Sequence, residues 1–189
     1  MLYPENFTVE QLDTLRADVL ANADTLAAYI NGDRAALVNL YNADAVPAVK
    51  AWDKEAPTER INDAINDTRS TPADVADSTV IYSNRAFQIF IKQMNLQTLL
   101  IRRDTINATK ANTRIKIKDA TTAVPAGEAG ENVHPGGASG VDVLAACLRP
   151  AAVTRLEKLF STGAQQTGTT TAEVLTLEGD INETVFIDV

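Results

Sequence analysis

The sequence predicts a mainly α fold, a helical bundle with a short C-terminal β-hairpin or extended arm. Three observations predict it. Apolar residues recur at helical spacing up to Phe160, capping residues stand where those patterns begin, and after Gly163 the chain turns into a Thr-rich spacer followed by two short strand-like runs. At 189 residues the chain suits one domain with appendages: a helical body over 1–162 and an arm over 163–189. Cys147 is the only cysteine, so one chain can form neither an internal disulfide nor a cysteine-based metal site, and a reducing compartment fits.

Thr8 followed by Gln11 is a capping-box signature, and Val9, Leu12, Leu15 and Val19 mark the buried stripe of a first helix over 8–20. Asp24 is placed to cap a second helix through Ile30 that Gly32 ends, and Asp33 to start a third bearing Ala36, Leu37, Leu40 and Tyr41. Pro47 and Pro57 frame 43–58 as an extended crossing segment anchored by Trp52. Thr58 then caps a fourth helix through Ile61 and Ile65, and 67–78 is a loop. From Val80 to Arg103 apolar residues cover more than half of a helix circumference, which predicts the central member of the bundle. Asn107 caps a helix from Ala108 to Asp119, the Gly-rich stretch 123–140 is a flexible loop, and Val141, Leu144, Ala145 and Leu148 return to helical spacing.

Pro150 suits a first helical position, with Val153, Leu156, Leu159 and Phe160 on the stripe that follows. Beyond Gly163 the strand-like runs are Val174, Leu175 and Leu177, then 184–189, separated by a Glu178-Gly179-Asp180 turn. A lone two-stranded hairpin is marginal in water. The arm residues Val174, Leu175, Leu177, Val185, Phe186, Ile187 and Val189 are therefore expected to complete a sheet or groove of a neighbouring subunit, the alternative being packing on their own domain.

The net charge of −8 is unevenly spread. Residues 102–118 hold Arg102, Arg103, Lys110, Arg114, Lys116 and Lys118 against the single acid Asp104, whereas 161–189 contain five acids and no Lys or Arg. Opposite charges at separate places on one chain suit head-to-tail contacts between identical copies. The six cations read as a surface for an acidic protein partner or for sequence-independent contact with DNA; no interleaved aromatics mark single-strand stacking.

Signals for chemistry are weak. No phosphate-cradling glycine pattern is present, and His134 with Ser139 lies in the flexible loop, where a triad would lack rigid support. The acid pairs Asp63 with Asp67 and Glu128 with Glu131 are weak signals for glycoside chemistry or a hard metal, and Asp63 with Asp67, at i and i+4 near a helix end, reads as a solvated face. No catalytic residue, metal or cofactor is expected. The opening residues lack a basic region followed by an apolar one, and no run reaches the roughly 18 apolar residues of a membrane span.

Lys110-Ala-Asn-Thr-Arg-Ile-Lys, Leu148-Arg-Pro-Ala-Ala-Val-Thr-Arg-Leu-Glu-Lys-Leu-Phe-Ser-Thr-Gly, the Thr-rich spacer and Val174-Leu-Thr-Leu-Glu-Gly-Asp-Ile resemble the head-to-tail connector (adaptor, or neck) virion proteins of tailed bacteriophages. The stretch from Asn22 to Asn42 is similar to that family as well, while the loop at 123–140 is longer and 180–189 depart from its pattern. The resemblance implies a non-enzymatic adaptor, present as a dodecameric ring that docks on the portal protein, connects it to a tail or neck protein and lets DNA pass. It places the chain at the head–tail junction of the virion, and in the host cytoplasm during assembly. Alternative roles are a head-completion or decoration protein of the capsid, or a virion-associated peptidoglycan hydrolase using Glu128 or Glu131.

Overall fold

The computed structural model describes residues 1–65, 91–121 except 92, 93, 96 and 102, and 141–187. The chain divides into two compact units. The first comprises Met1–Ala51, Pro150–Gly163 and Glu173–Val189, and the second Trp52–Arg149 and Ala164–Ala172.

The first unit begins with three helices, α1 (Val9–Ala21), α2 (Ala23–Ile30) and α3 (Arg34–Asn42). The predicted capping box forms, with Gln11 N–H donating to Thr8 Oγ1 at 3.2 Å and Thr8 N–H to Gln11 Oε1 at 2.9 Å. Asp33 caps α3 by accepting from Ala36 N–H at 2.9 Å. Gly32 between α2 and α3 has φ 65°, a left-handed conformation that an L side chain resists. Leu15, Val19, Ala28, Leu37 and Tyr41 are buried, so the apolar stripes of all three helices meet in one core.

The helix near Phe160 is shorter than predicted. It is α7, Arg155–Leu159, capped by Thr154, so its first helical residue is Arg155 rather than Pro150. Thr154 and Glu157 form a second capping box, and the buried Glu157 carboxylate also accepts Gly179 N–H at 3.1 Å. One side chain thereby holds a helix start and the turn predicted at 178–180, where Gly179 has φ 117°. The closing segment then threads the core. Leu2 N–H donates to Asp180 O at 2.6 Å and Asn182 N–H to Leu2 O at 3.0 Å, while the Asn42 amide exchanges bonds with both main-chain groups of Ile181. Leu177, Ile181, Val185 and Phe186 are buried among α1–α3 and α7, with Phe186 stacked on Tyr41 at 5.7 Å.

In the second unit, β1 (Ala56–Pro57) pairs antiparallel with β2 (Thr105–Ile106), and α4 (Thr58–Asp63) follows β1 directly. Thr58, predicted as the cap of α4, is its first residue and instead donates its hydroxyl to Arg103 O at 2.9 Å. Residues 97–100 are helical; most of the predicted central helix lies outside the described residues, as does the loop at 123–140. Asn107 stabilises the approach to α5 (Ala111–Thr121) by accepting Thr109 N–H at 3.0 Å, and α6 (Val141–Ala145) follows. A hairpin of β3 (Ser161–Thr167) and β4 (Thr170–Leu175) has its tip in this unit and its base in the first.

The helical-bundle expectation is thus corrected to a mixed α and β fold with two small antiparallel sheets among the described residues. Three physical reasons account for it. The described helices are too short to form long shared seams, the supposed polar spacer holds β-branched threonines around a Gly168 turn and forms the hairpin itself, and the predicted terminal strand is a short 3-10 helix, Glu183–Ile187.

Because four closing side chains complete the first unit's core, deletion of 177–189 is expected to abolish its cooperative unfolding transition in circular dichroism. Each fully buried apolar side chain contributes about 1.5–3 kcal/mol, against a typical domain stability of about 5–15 kcal/mol. An unchanged melt after the deletion would contradict this packing.

Candidate functional site: a cationic cleft

A cleft of about 840 Å³ lies in the second unit beside α5 and the helical residues 97–100. Arg103, Lys110 and Lys116 line it, together with the amides and hydroxyls of Asn95, Thr98, Asn112 and Thr113 and the acid Asp119. The three cations come from the loop before β2, the approach to α5 and its exposed side. Ammonium and guanidinium groups beside neutral hydrogen-bond donors form a surface for oxyanions, whether phosphate or carboxylate.

The six predicted cations do not act together. Arg103, Lys110 and Lys116 share the cleft, and Arg102 lies outside the described residues. Lys118 is half-buried and runs its stem past the hairpin turn, where a Cβ on Gly168 would stand 3.9 Å from its Cδ and Cε. Arg114 is corrected from a surface cation to an interior one, only 2% exposed. Its guanidinium lies 4.8 Å from the Trp52 ring centroid, donates from Nε to Thr167 Oγ1 at 3.0 Å, and from Nη1 to Ala108 O and Thr109 O at 2.9 and 2.7 Å. Burial lowers its pKa, yet an arginine remains charged under physiological conditions. Trp52 in turn donates its indole N–H to Gln165 O at 3.1 Å, so tryptophan, arginine and hairpin tip form one connected group.

The predicted arm residues are also relocated. Leu175 packs with Ala51 and Val153, and Leu177, Val185 and Phe186 belong to the first unit's core. Val174 is half-buried, Ile187 is 57% exposed, and Val189 lies outside the described residues. The premise that this segment lacks partners in its own fold is therefore corrected. Sequence reasoning missed a polar group at the hairpin base: buried Glu173 accepts from Lys158 Nζ and, at 2.7 Å, from Ser161 Oγ. Only pairing of the two strands brings Ser161 and Glu173 together. Burial raises the Glu173 pKa, but bonds from Lys158 and Ser161 together outweigh it and hold the carboxyl below its ordinary range.

Cys147 is buried, which pushes its thiol up to about 12 and leaves it a poor nucleophile at neutral pH. Among the described residues no cluster of three or more His, Cys, Asp or Glu side chains could hold a metal ion, and no helix is long and apolar enough to cross a membrane. His134, Ser139, Asp67, Glu128 and Glu131 lie outside the described residues. No family model, curated protein or solved structure matches this chain.

Two outcomes follow from these groups. Replacing Arg114 with Lys removes the planar fork and leaves buried acceptors unsatisfied, at about 1–3 kcal/mol each, so a thermal melt should fall by several degrees with a red shift of Trp52 emission. Glu173, with a folded pKa below its ordinary 4.5, contributes stability that is present above 4.5 and lost as pH falls through the lower folded value. The difference in urea midpoint between wild type and Glu173→Gln should therefore be constant above pH 5.5 and shrink steadily below about 4.5.

Proposed function

We propose that this chain is a structural protein of a tailed-phage virion, an adaptor ring at the head-to-tail junction that docks on the portal, connects it to the tail and surrounds the passage for DNA. The observation that carries this reading is the partition of charge. The first unit holds five Lys/Arg against thirteen Asp/Glu, which is the whole net charge of −8, while the second holds twelve of each and is neutral. A neutral unit with a cationic cleft and an acidic unit on the same chain supply complementary surfaces for repeated head-to-tail contact, the kind that closes into rings. The connector resemblance supplies the identity of the assembly. In this reading docking belongs to charged surfaces and not to the closing segment, whose side chains are already used in the core. The chain carries no catalytic step and takes no cofactor.

Charge reversal tests the assignment. The triple variant Arg103→Glu, Lys110→Glu, Lys116→Glu exchanges exposed side chains only and should retain the wild-type melt. In a phage complementation experiment it should yield DNA-filled heads without tails, and immunoblots of purified particles should show little of this chain. Normal incorporation of the variant would overturn the role of the cleft. Density for the chain spread over the capsid shell, instead of at one vertex, would overturn the connector assignment.

A further inference from the structure

We propose that the outer edge of β3 at the hairpin tip pairs antiparallel with the same edge of a second copy of this chain, giving a four-stranded sheet across a twofold axis. The register follows from the turn. Strand β3 ends at Thr167 and β4 begins at Thr170, and Gly168 has φ 61° while no non-glycine among the described residues has positive φ. A two-residue loop with glycine first is the type II′ hairpin turn, so Thr167 faces Thr170, Gln166 faces Thr171 and Gln165 faces Ala172. Hydrogen-bonded pairs alternate along an antiparallel ladder, which turns the main-chain groups of Gln166 and Ala164 away from β4. The opposite strand supports this phase: Glu173, two residues beyond Thr171, sends its N–H out of the hairpin to Lys50 O at 2.7 Å.

Ala164, Gln165 and Gln166 are all exposed, and among the described residues no main-chain hydrogen bond from outside the hairpin reaches Ala164 or Gln166. Such an edge is a ready template for another strand, and proteins ordinarily blunt it with a lysine, a proline or a bulge. Here the strand reads Ser-Thr-Gly-Ala-Gln-Gln-Thr, and the whole run from Leu159 to Ala172 contains no charged residue in a chain that has 17 basic and 25 acidic ones.

That neutrality argues for a second copy. In a twofold pairing centred on Gln165, Ala164 faces Gln166 of the copy and Gln165 faces itself, so any charge at the centre would meet its like. None is present. The Gln165 amide is both donor and acceptor and can bond to its own counterpart, and Ala164 and Gln166 on each copy supply main-chain groups for new ladder bonds. Two strands become four, past the point at which a hairpin is marginal. A twofold contact closes at two copies and uses an edge distinct from the cationic cleft, so it describes the free protein and stands independently of the connector reading.

The test uses the full chain. Sedimentation of wild type should show a dimer whose fraction rises with concentration. Gln165→Lys and Gln165→Glu should each weaken dimerisation about fivefold or more through like charges placed opposite one another, and an equimolar mixture should restore it. Gln165→Cys should form an intermolecular disulfide under mild oxidation, since directly opposed Cβ atoms lie about 4.5–5.5 Å apart and the native Cys147 is buried. A wild type that stays monomeric, charge variants that dimerise normally, a mixture that fails to recover, or a Cys variant that does not cross-link would each overturn the proposal.

Discussion

The first unit depends on a segment far away in sequence. Its three opening helices present a shared apolar interior that they cannot close by themselves, and Leu177, Ile181, Val185 and Phe186 fill it. Polar contacts decide where that segment lies. The Glu157 carboxylate fixes the Gly179 turn, the Asn42 amide grips Ile181, and Leu2 flanks both neighbours of Ile181 with main-chain bonds. A buried amide or carboxylate left unpaired would cost more than these bonds individually contribute, so the arrangement specifies one threading over others.

A second polar centre ties the helices together. Asp18 accepts from the Tyr41 hydroxyl at 2.7 Å and from Arg155 at 3.3 Å, and Arg155 also reaches Asp24 at 3.0 Å while lying over the Tyr41 ring. Burial and the Asp18 carboxylate both push the Tyr41 hydroxyl far above its ordinary pKa, so it stays protonated and donates at any physiological pH. In a unit with thirteen acids, placing one of five cations between two carboxylates on α1 and α2 relieves repulsion where the helices converge. Arg114 plays the matching part in the second unit, where an aromatic face and three acceptors take the place of a counter-ion.

These centres change what the charge pattern means. A run of cations in sequence reads as a surface, yet one side chain of the run is interior and another leans on the hairpin turn. The three that remain together share a cleft with amides and hydroxyls. The acidic tail, likewise, is anchored at both ends of Ile181; Glu178, Asp180 and Glu183 are exposed beside its buried stripe, while Glu173 is buried.

Local signals were legible wherever a short stretch decides the structure. The capping box at Thr8 and Gln11, the Asp33 cap, the Gly32 stop and the Gly179 turn depend on residues within a few positions of one another, and so did the helices they bound. Apolar spacing also marked Leu15, Val19, Leu37, Tyr41 and Leu156 as core. Tertiary structure alone decided the rest. Val185 and Phe186 suit a strand by propensity, but a buried groove between helices accepts them as a 3-10 turn, and contact area outweighs a preference worth less than about 1 kcal/mol per residue. The Thr-rich stretch has no apolar alternation to announce strands, and it pairs because the Gly168 turn and the Trp52–Arg114 group hold its tip. Sequence determined the helices, caps and charge totals because those are local sums; which surface each charge reached, and where the last segment went, depended on contacts between residues distant in sequence, such as Arg114 with Thr167 and Asn42 with Ile181.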